Sequence, residues 1–194
     1  LMNIFILDKD ALKAAQLQCD KHVVKMIVES AQMLSTSHRV LDGLQTRKLS
    51  KSGKRMVKYW IMEDYFKENT LYKAVHMNHP CAVWTMESLE NYSWHYDHFL
   101  ALCAEYTHRY GKTHATQTRL ADMLSNSPIN IQSVGLTPFR MAMQNEPQCV
   151  NKTDIVQSYR NYYKTKKDRF KMVWSRREIP NWFDVATVNG EDSE

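Results

Sequence analysis

The sequence predicts an all-α protein with about three long helices, several shorter ones and long irregular loops, folded as a single domain over residues 1–194. Only five glycines and five prolines occur in 194 residues, too few for a turn-rich β architecture. Apolar residues recur at the spacing of a helix face rather than alternating as in strands. Hydrophobic residues make up 43% of the chain, which is enough for one substantial core.

Two helices are predicted before residue 44. Asp8 or Asp10 is expected to cap a first short helix over residues 11–17, because a carboxylate at this position accepts from free backbone N–H groups. Asp20 is expected to cap a long helix, and Gly43 is expected to end it. The apolar positions of that helix recur every three or four residues, at Val23, Val24, Ile27, Ala31, Leu34 and Leu41.

The middle of the chain is predicted to be a loop followed by two helical stretches. Residues 44–58 are polar, basic and irregular, and they contain a glycine, which indicates a loop. Residues 62–77 have a helical pattern. A long helical stretch covers residues 81–110, with a break near 91–93, and Gly111 ends it.

The last third of the chain contains fewer helical signals. Thr113 is expected to cap a helix that ends at Leu124. Residues 125–150 contain three prolines and are predicted to be an extended loop. A final helix is predicted over about residues 154–173, and the tail at 186–194 is expected to fray.

Positive charge is concentrated in two segments. The residues between Asp42 and Glu63 include six basic residues and no acidic one, and residues 160–177 include eight basic residues and one acidic one. These two segments therefore hold 14 of the 26 basic residues but only one of the 21 acidic residues. Such separation causes self-repulsion, which a polyanionic partner relieves.

Aromatic residues are interleaved with both basic segments, which is typical of surfaces that stack bases and contact phosphates. The alternative is a pair of solvated helix faces whose aromatic residues point inward. The predicted partner is double-stranded DNA. The residues predicted to bind it are Arg47, Lys48, Lys51, Lys54, Arg55, Tyr159, Arg160, Tyr162, Tyr163, Lys164 and Lys167.

A polar stripe on the long helix is the candidate for chemistry. His22, Lys25, Glu29 and Gln32 follow one another at steps of three, four and three residues, so they share one face. The stripe borders the apolar face, where partial burial shifts pKa values and lets a carboxylate stabilise positive charge or move a proton. The alternative is a set of salt bridges at the edge of the core.

No cofactor and no metal are predicted. His95 and His98 lie one helical turn apart, but no third ligand is evident from the sequence. The chain has no apolar run of about 18 residues and no signal-peptide pattern, and its four cysteines form no CxxC pair. We therefore expect a cytoplasmic monomer with no membrane contact and with reduced, buried thiols. Met2 is interpreted as the natural start and Leu1 as a cloning remnant.

The residues of the polar stripe carry a resemblance to a known family. Asp20-Lys21-His22, followed seven residues later by Glu29, resembles the Asp-x-His…Glu motif of the phage-type pyrimidine-dimer DNA glycosylases, the endonuclease V family. The stretch from His79 to Gly111 resembles the central helix of that family. The segment Tyr159–Lys164 resembles its aromatic and basic C-terminal segment. The chain is also similar to uncharacterised proteins of tailed phages, which implies the cytoplasm of a host cell.

The resemblance implies a compact bundle of about three main helices around a DNA-binding face. It also implies a mechanism in which the N-terminal α-amine attacks the sugar C1′, expels the base and forms a Schiff base, after which β-elimination nicks the strand. That amine belongs to Met2 or, after trimming, to Asn3. Glu29 matches the family residue that stabilises the cationic sugar, and His22 matches the one that positions the substrate.

The chain departs from the family pattern at three places. The residue after Met2 is the bulky Asn3, whereas the family has a small residue that allows Met removal. The family's arginines just before and three residues after the glutamate are replaced by Val28 and Gln32. Lys25 and Arg39 are the expected replacements for these phosphate contacts, and Lys25 is also a fallback nucleophile if it is desolvated.

The predicted function is therefore a DNA base-excision glycosylase that acts on damaged or modified pyrimidines, with possible AP-lyase activity. Two alternatives remain open. One is a phage enzyme of the same fold that acts on a modified base or a free nucleotide. The other is a non-catalytic nucleic-acid-binding protein.

Overall fold

The computed structural model describes residues 2–183 and contains both helices and a small sheet. The helices are α1 (Ala11–Gln16), α2 (Asp20–Asp42), α3 (Tyr65–Thr70), α4 (Pro80–Glu87), α5 (Leu89–Tyr110), α6 (Ala115–Leu124) and α7 (Ile155–Lys164), and the strands are β1 (Leu44–Leu49) and β2 (Met56–Ile61). Short 3₁₀ turns lie at Pro147–Cys149 and Thr165–Asp168. The all-α prediction is wrong, because β1 and β2 form an antiparallel two-stranded sheet. The predicted frayed tail at 186–194 lies outside the described residues.

The long helices α2 and α5 pack against each other and form the centre of the protein. The N-terminal segment, residues 2–7, is buried with them in one contiguous hydrophobic cluster. All four cysteines are free and buried, as predicted. Within residues 2–183, no helix combines the length and the apolar character that crossing a membrane requires.

The helix ends follow several of the predicted caps. Asp10 accepts a hydrogen bond from the backbone N–H of Lys13, and Gly111 ends α5 with a left-handed backbone (φ 69°). Gly43 follows the last residue of α2, at a position where any other side chain would place its Cβ 2.5 Å from the carbonyl oxygen of Arg39. Asp20, by contrast, begins α2 without capping it, and α6 is capped by His114 rather than by Thr113.

Residues 44–58, predicted to be a loop, form most of a β-hairpin. The strands pair from Leu44 opposite Ile61 to Leu49 opposite Met56, and the turn between them contains Gly53 at a positive φ of 69°. Sequence patterning missed the strands because polar and basic residues occupy both faces. We call residues 44–61 the basic hairpin.

The other boundaries differ from prediction for local reasons. Only Tyr65–Thr70 of the predicted helix at 62–77 is helical, because the residues that follow run extended along α2. There the backbone N–H of Tyr72 donates to Ser35 Oγ and that of Val75 to Thr36 Oγ1, which replaces helical hydrogen bonds. The break between α4 and α5 lies at Ser88, which caps α5, rather than at 91–93. Residues 125–150 contain a single 3₁₀ turn and otherwise no helix or strand, close to prediction.

Candidate functional site

The buried N-terminal segment is held in one conformation by Asn3. Its side-chain oxygen accepts hydrogen bonds from the backbone N–H groups of Ile4 (2.8 Å) and Phe5 (3.1 Å), and its amide nitrogen donates to the carbonyl of Ala142 at 2.9 Å. Phe5 has a left-handed backbone (φ 58°), which is rare for a bulky residue and persists only where its surroundings fix it. The N-terminal segment is therefore a fixed part of the structure, and it lies beside α2.

Glu29 lies on α2 beside the N-terminal segment. It is 8% exposed, and its Oε2 atom is buried without a hydrogen-bond partner among residues 2–183. Burial raises the pKa of the Glu29 carboxyl, while the charge of Lys25 and the nearby backbone N–H of Asn3 oppose the rise. No basic side chain of the described residues lies within 4 Å of it. The predicted alternative of a closed salt bridge at the core edge is therefore wrong for Glu29.

A cleft of about 160 Å³ opens at the start of the buried N-terminal segment. Its lining residues are Met2, His79, Pro80, Ala142, Met143, Gln144, Asn145 and Tyr162. Glu29 does not line the cleft itself. Its neighbours Asn3 and Cys81 each follow a lining residue in the chain, and the Glu29 charge contributes to raising the pKa of the Cys81 thiol to about 12, after burial. Asn3 and Cys81 thus connect the carboxyl to the segments that line the cleft.

His22 is enclosed by aromatic rings. Phe5 stacks on it at 4.9 Å between centroids, Tyr163 and Phe170 meet it edge-on, and its Nδ1 is hydrogen-bonded to the hydroxyl of Tyr163 at 2.8 Å. Burial lowers the pKa of His22 to about 3, with the charge of Lys166 adding to the effect. The imidazole is therefore neutral near pH 7. It lies about 10 Å from Glu29 along the helix axis, and no hydrogen bond joins the two side chains.

Lys166 is a buried amine that the sequence analysis did not single out. It is 3% exposed, its Nζ donates to the hydroxyl of Tyr162 at 3.0 Å, and no carboxylate of the described residues lies within 4 Å. Burial lowers the pKa of Lys166. Since Tyr162 lines the cleft, this hydrogen bond links the ammonium to one of the cleft's lining residues. The four-residue spacing of Tyr162 and Lys166 in a helical segment was the signal that could have revealed this pair.

Lys25 does not fit the role of a desolvated amine. Its side chain is exposed, so the burial on which that prediction depended is absent. Met2, by contrast, is buried and lines the cleft, as the predicted N-terminal mechanism requires of the residue that carries the amine. Asn3 is fully buried, and its side chain is occupied in the turn described above.

Several residues predicted to bind nucleic acid are not available to do so. Arg39 is buried and donates to Glu68, to Trp60 O, to Tyr72 O and to Leu71 O, so it anchors structure rather than phosphate. Tyr159, Tyr162 and Tyr163 are also buried. The burial of Arg39, Tyr159 and Tyr163 leaves no room for the predicted contacts with a base or a phosphate. Tyr162 lines a cleft, and its contact with nucleic acid stays a prediction.

The other residues predicted to bind DNA differ in exposure between the two basic segments. The five residues predicted in the basic hairpin, Arg47, Lys48, Lys51, Lys54 and Arg55, are all exposed. In the second segment Lys167 is exposed and Lys164 is half-buried, whereas Arg160 donates to the carbonyl of Leu7 at 3.0 Å. We call residues 160–177 the C-terminal strap.

The histidines considered as metal ligands are occupied by hydrogen bonds. His95 lies between Thr85 Oγ1 (2.7 Å) and Ser30 Oγ (3.0 Å), and His98 Nδ1 is bonded to the carbonyl of Ala11 at 2.9 Å. Within residues 2–183 no three histidine, cysteine or acidic side chains are grouped closely enough to hold a metal ion.

The chain matches no protein-family model, no curated protein and no solved structure. The likeness to pyrimidine-dimer glycosylases therefore stays a prediction from the motif residues. Function has to be proposed from the residues and their geometry.

Proposed function

We propose that this protein is a DNA base-excision glycosylase that acts on damaged or modified pyrimidines. The observation that carries the proposal is the buried Glu29 carboxyl, which has an unpartnered oxygen and whose neighbours Asn3 and Cys81 each follow a residue that lines the cleft. Buried carboxylates are normally hydrogen-bonded or paired with a cation. Unpaired ones are found mainly at functional sites, where the carboxylate takes part in the chemistry. The Asp20…His22…Glu29 motif supports the same assignment.

Glu29 is suited to the charge that glycosidic cleavage creates. When the C1′–N bond breaks, the base leaves with the bonding electrons and the sugar becomes cationic. A nearby carboxylate stabilises that cation, and a poorly solvated one does so more strongly than it would in water. The raised pKa of Glu29 also brings its proton affinity closer to neutral pH, where it exchanges protons with a nucleophile.

The size of the cleft favours a base that is still attached to a polymer. Its volume of about 160 Å³ is below the roughly 300–1,000 Å³ typical of sites that engulf a small ligand. A flipped base needs only its own volume, because the sugar and phosphates remain outside. This argues against a free nucleotide as the substrate.

Two amines are candidates for the lyase step. The first is the α-amine of a chain that begins at Met2, which lines the cleft. The second is Lys166, whose lowered pKa increases the fraction of neutral, nucleophilic amine. In either case the amine attacks C1′ as the base departs with the bonding electrons, and cleavage of the C1′–O4′ bond, with a proton delivered to O4′, opens the sugar ring and gives the Schiff base.

The first test compares Glu29→Gln with Glu63→Gln, an exposed control that makes the same change in charge. Substrates are duplex oligonucleotides that carry pyrimidine dimers, modified pyrimidines or abasic sites, together with the matching mononucleotides. We expect Glu29→Gln to slow base release by about 10²–10⁴-fold with DNA affinity retained, and Glu63→Gln to have no effect. Equal turnover by the two variants contradicts the proposal. Salt-dependent binding without product from any substrate identifies a binding protein instead.

The second test identifies the amine. Borohydride reduces a Schiff base to a stable covalent complex, and peptide mapping then locates the attached residue. Lys166→Arg keeps the charge and the donor to Tyr162 but cannot form a Schiff base. Loss of trapping in this variant identifies Lys166, whereas retained trapping identifies the N-terminal amine. Cleavage that never traps refutes the lyase step and leaves the glycosylase proposal intact.

A further inference from the structure

The basic hairpin projects from the body as a narrow ribbon. Every residue of β1 is exposed, and the strands contact the body through α2 and through Glu68 of α3. Six residues per strand correspond to a length of about 20 Å. The ribbon therefore presents most of its surface to solvent.

The charge of the hairpin is not neutralised by the described part of the chain. Residues 43–62 include six basic side chains and no acidic one, and none of the six lies within 4 Å of a carboxylate of residues 2–183. Arg47 lies directly opposite Lys58 in the sheet, a pairing of like charges that destabilises a hairpin. A ribbon built this way is stabilised by an external polyanion.

The base of the hairpin is rigid. Arg39 Nη1 donates to the carbonyl of Trp60 and to Glu68 Oε2, both at 2.8 Å. Glu68 Oε2 also accepts from the backbone N–H of Met62 at 2.7 Å, and Tyr59 donates its hydroxyl to the same carboxylate. The ribbon is thus held at one angle to the body, so docking it restricts little additional motion.

The two faces of the hairpin differ. Residues opposite each other share a face. On one face the Tyr59 hydroxyl is bonded to Glu68, and Lys48 Nζ lies 3.9 Å from the Tyr59 ring centroid. The distal part of the other face is open, and it carries the Arg47–Lys58 pair together with Leu49 (66% exposed) and Met56 (51% exposed). The open face therefore carries one pair of hydrogen-bond donors beside one pair of apolar side chains.

We infer that the basic hairpin enters the major groove of double-stranded DNA with its open face toward the bases. A two-stranded ribbon fits the B-form major groove, which is roughly 12 Å wide, whereas the major groove of A-form RNA is too narrow for side chains to read. Arginine and lysine donate to guanine edges, and apolar groups contact the thymine methyl. The tip cations Lys51, Lys54 and Arg55 are placed to reach phosphates. The inference rests on the proposed function only in taking DNA as the partner.

The test measures the affinity of the full-length protein for a 25-base-pair duplex, chosen to be longer than the ribbon, over a range of salt concentrations. The hairpin variant Arg47→Gln/Lys58→Gln is compared with Arg169→Gln/Lys171→Gln, which removes the same charge from exposed positions of the strap. We expect the hairpin variant to weaken binding roughly 10–100-fold and to reduce the slope of log K against log salt by about 2. The strap variant is expected to change affinity less than about threefold. Arg47→Lys/Lys58→Arg keeps both charges and should bind DNA nearly as well as the original protein.

Two further ligands test the groove itself. A duplex whose pyrimidines carry bulky 5-substituents has an obstructed major groove, and we expect it to bind at least tenfold more weakly. An RNA duplex of the same sequence is expected to bind comparably weakly. Equal affinity for all three duplexes, or equal losses in the hairpin and strap variants, overturns the inference. Because the readout is binding alone, normal turnover by Glu29→Gln would remove the proposed function and leave the hairpin assignment standing.

Discussion

The basic hairpin and the C-terminal strap are alike in sequence but differ in structure. Both are rich in lysine, arginine and aromatic residues and poor in acids. In the hairpin the charged groups extend into solvent, and none forms an ion pair with residues 2–183. In the strap Arg177 Nη2 lies 2.6 Å from Glu105, and Arg160 donates to the backbone of the N-terminal segment.

The difference shows that charge density in a sequence overestimates the charge available for binding. The strap crosses acidic groups and carbonyls of other elements, so part of its charge is used to hold the chain to the body. The hairpin leaves the body after α2, where residues 2–183 place no carboxylate within 4 Å of its basic side chains. The two segments are therefore expected to respond differently to mutation and pH, as the following predictions describe in order of decreasing effect.

Glu105→Gln is expected to release the strap with the largest loss of stability. The carboxylate is buried and binds Arg109 Nε at 2.9 Å as well as Arg177, so its removal leaves a buried guanidinium without one of its partners. We expect the free energy of unfolding in urea to fall by about 3–5 kcal/mol. The exposed Glu63→Gln serves as the control, with a change below about 0.5 kcal/mol. A loss under about 1 kcal/mol in Glu105→Gln would mean that other contacts hold the strap.

Acid is expected to loosen the strap before it affects the hairpin. His22 packs against Tyr163 and Phe170, and its pKa is lowered from 6.5 to about 3. Between these two values the unfolded state binds more protons than the folded one, so stability falls as pH falls below 6.5. The loss attributable to His22 is about 2 kcal/mol at pH 5.

Hydrogen exchange followed from pH 7 to pH 5 measures this difference. Protection should decrease first at amides near Tyr163 and Phe170. The hairpin contains no histidine and should keep its protection until the whole protein unfolds. Simultaneous loss in both regions at pH 5 would contradict the assignment to His22.

Lys166→Met is expected to stabilise the protein by roughly 1 kcal/mol. The substitution removes a buried ammonium that has no carboxylate partner among the described residues, and methionine keeps the packing on Tyr162. Thermal unfolding at neutral pH measures the gain, with the exposed Lys167→Met as the control. A loss of more than about 1 kcal/mol would show that the hydrogen bond to Tyr162 outweighs the cost of burying the charge.

The smallest expected effect is in the hairpin. Arg47→Gln removes the like-charge pair with Lys58 and should strengthen the strands by roughly 0.2–1 kcal/mol. Hydrogen exchange of the strand amides at low salt measures the change. Arg55→Gln at the tip, outside the paired residues, is the control. High salt should abolish the difference, because it screens exposed charges over a few ångströms.

The helical part of the fold was largely predictable because its signals are local. The spacing of apolar residues from Val23 to Leu41, the cap at Asp10 and the glycines at 43 and 111 each act within a few residues. The hairpin was not predictable in the same way, because its strands have polar residues on both faces. Its position depends on Arg39, which lies in the preceding helix and binds residues 21 to 33 positions further along the chain.

The candidate site was only partly predictable, for a related reason. Helical spacing placed His22 and Glu29 on the same helix, and the structure keeps them there. The cleft depends on long-range packing of Met2 against His79 and Tyr162, which no local pattern encodes. The same packing buries the tyrosines that the sequence suggested as stacking platforms, and it places Lys166 rather than Lys25 in the interior.

The buried N-terminal segment has a practical consequence for engineering the cleft. Because Met2 lines the cleft, its replacement by a smaller apolar residue is expected to enlarge it, whereas Asn3 cannot be changed without loosening the turn that fixes the segment. Position 2 is therefore where the size of the accommodated group can be varied with the least disturbance of the fold.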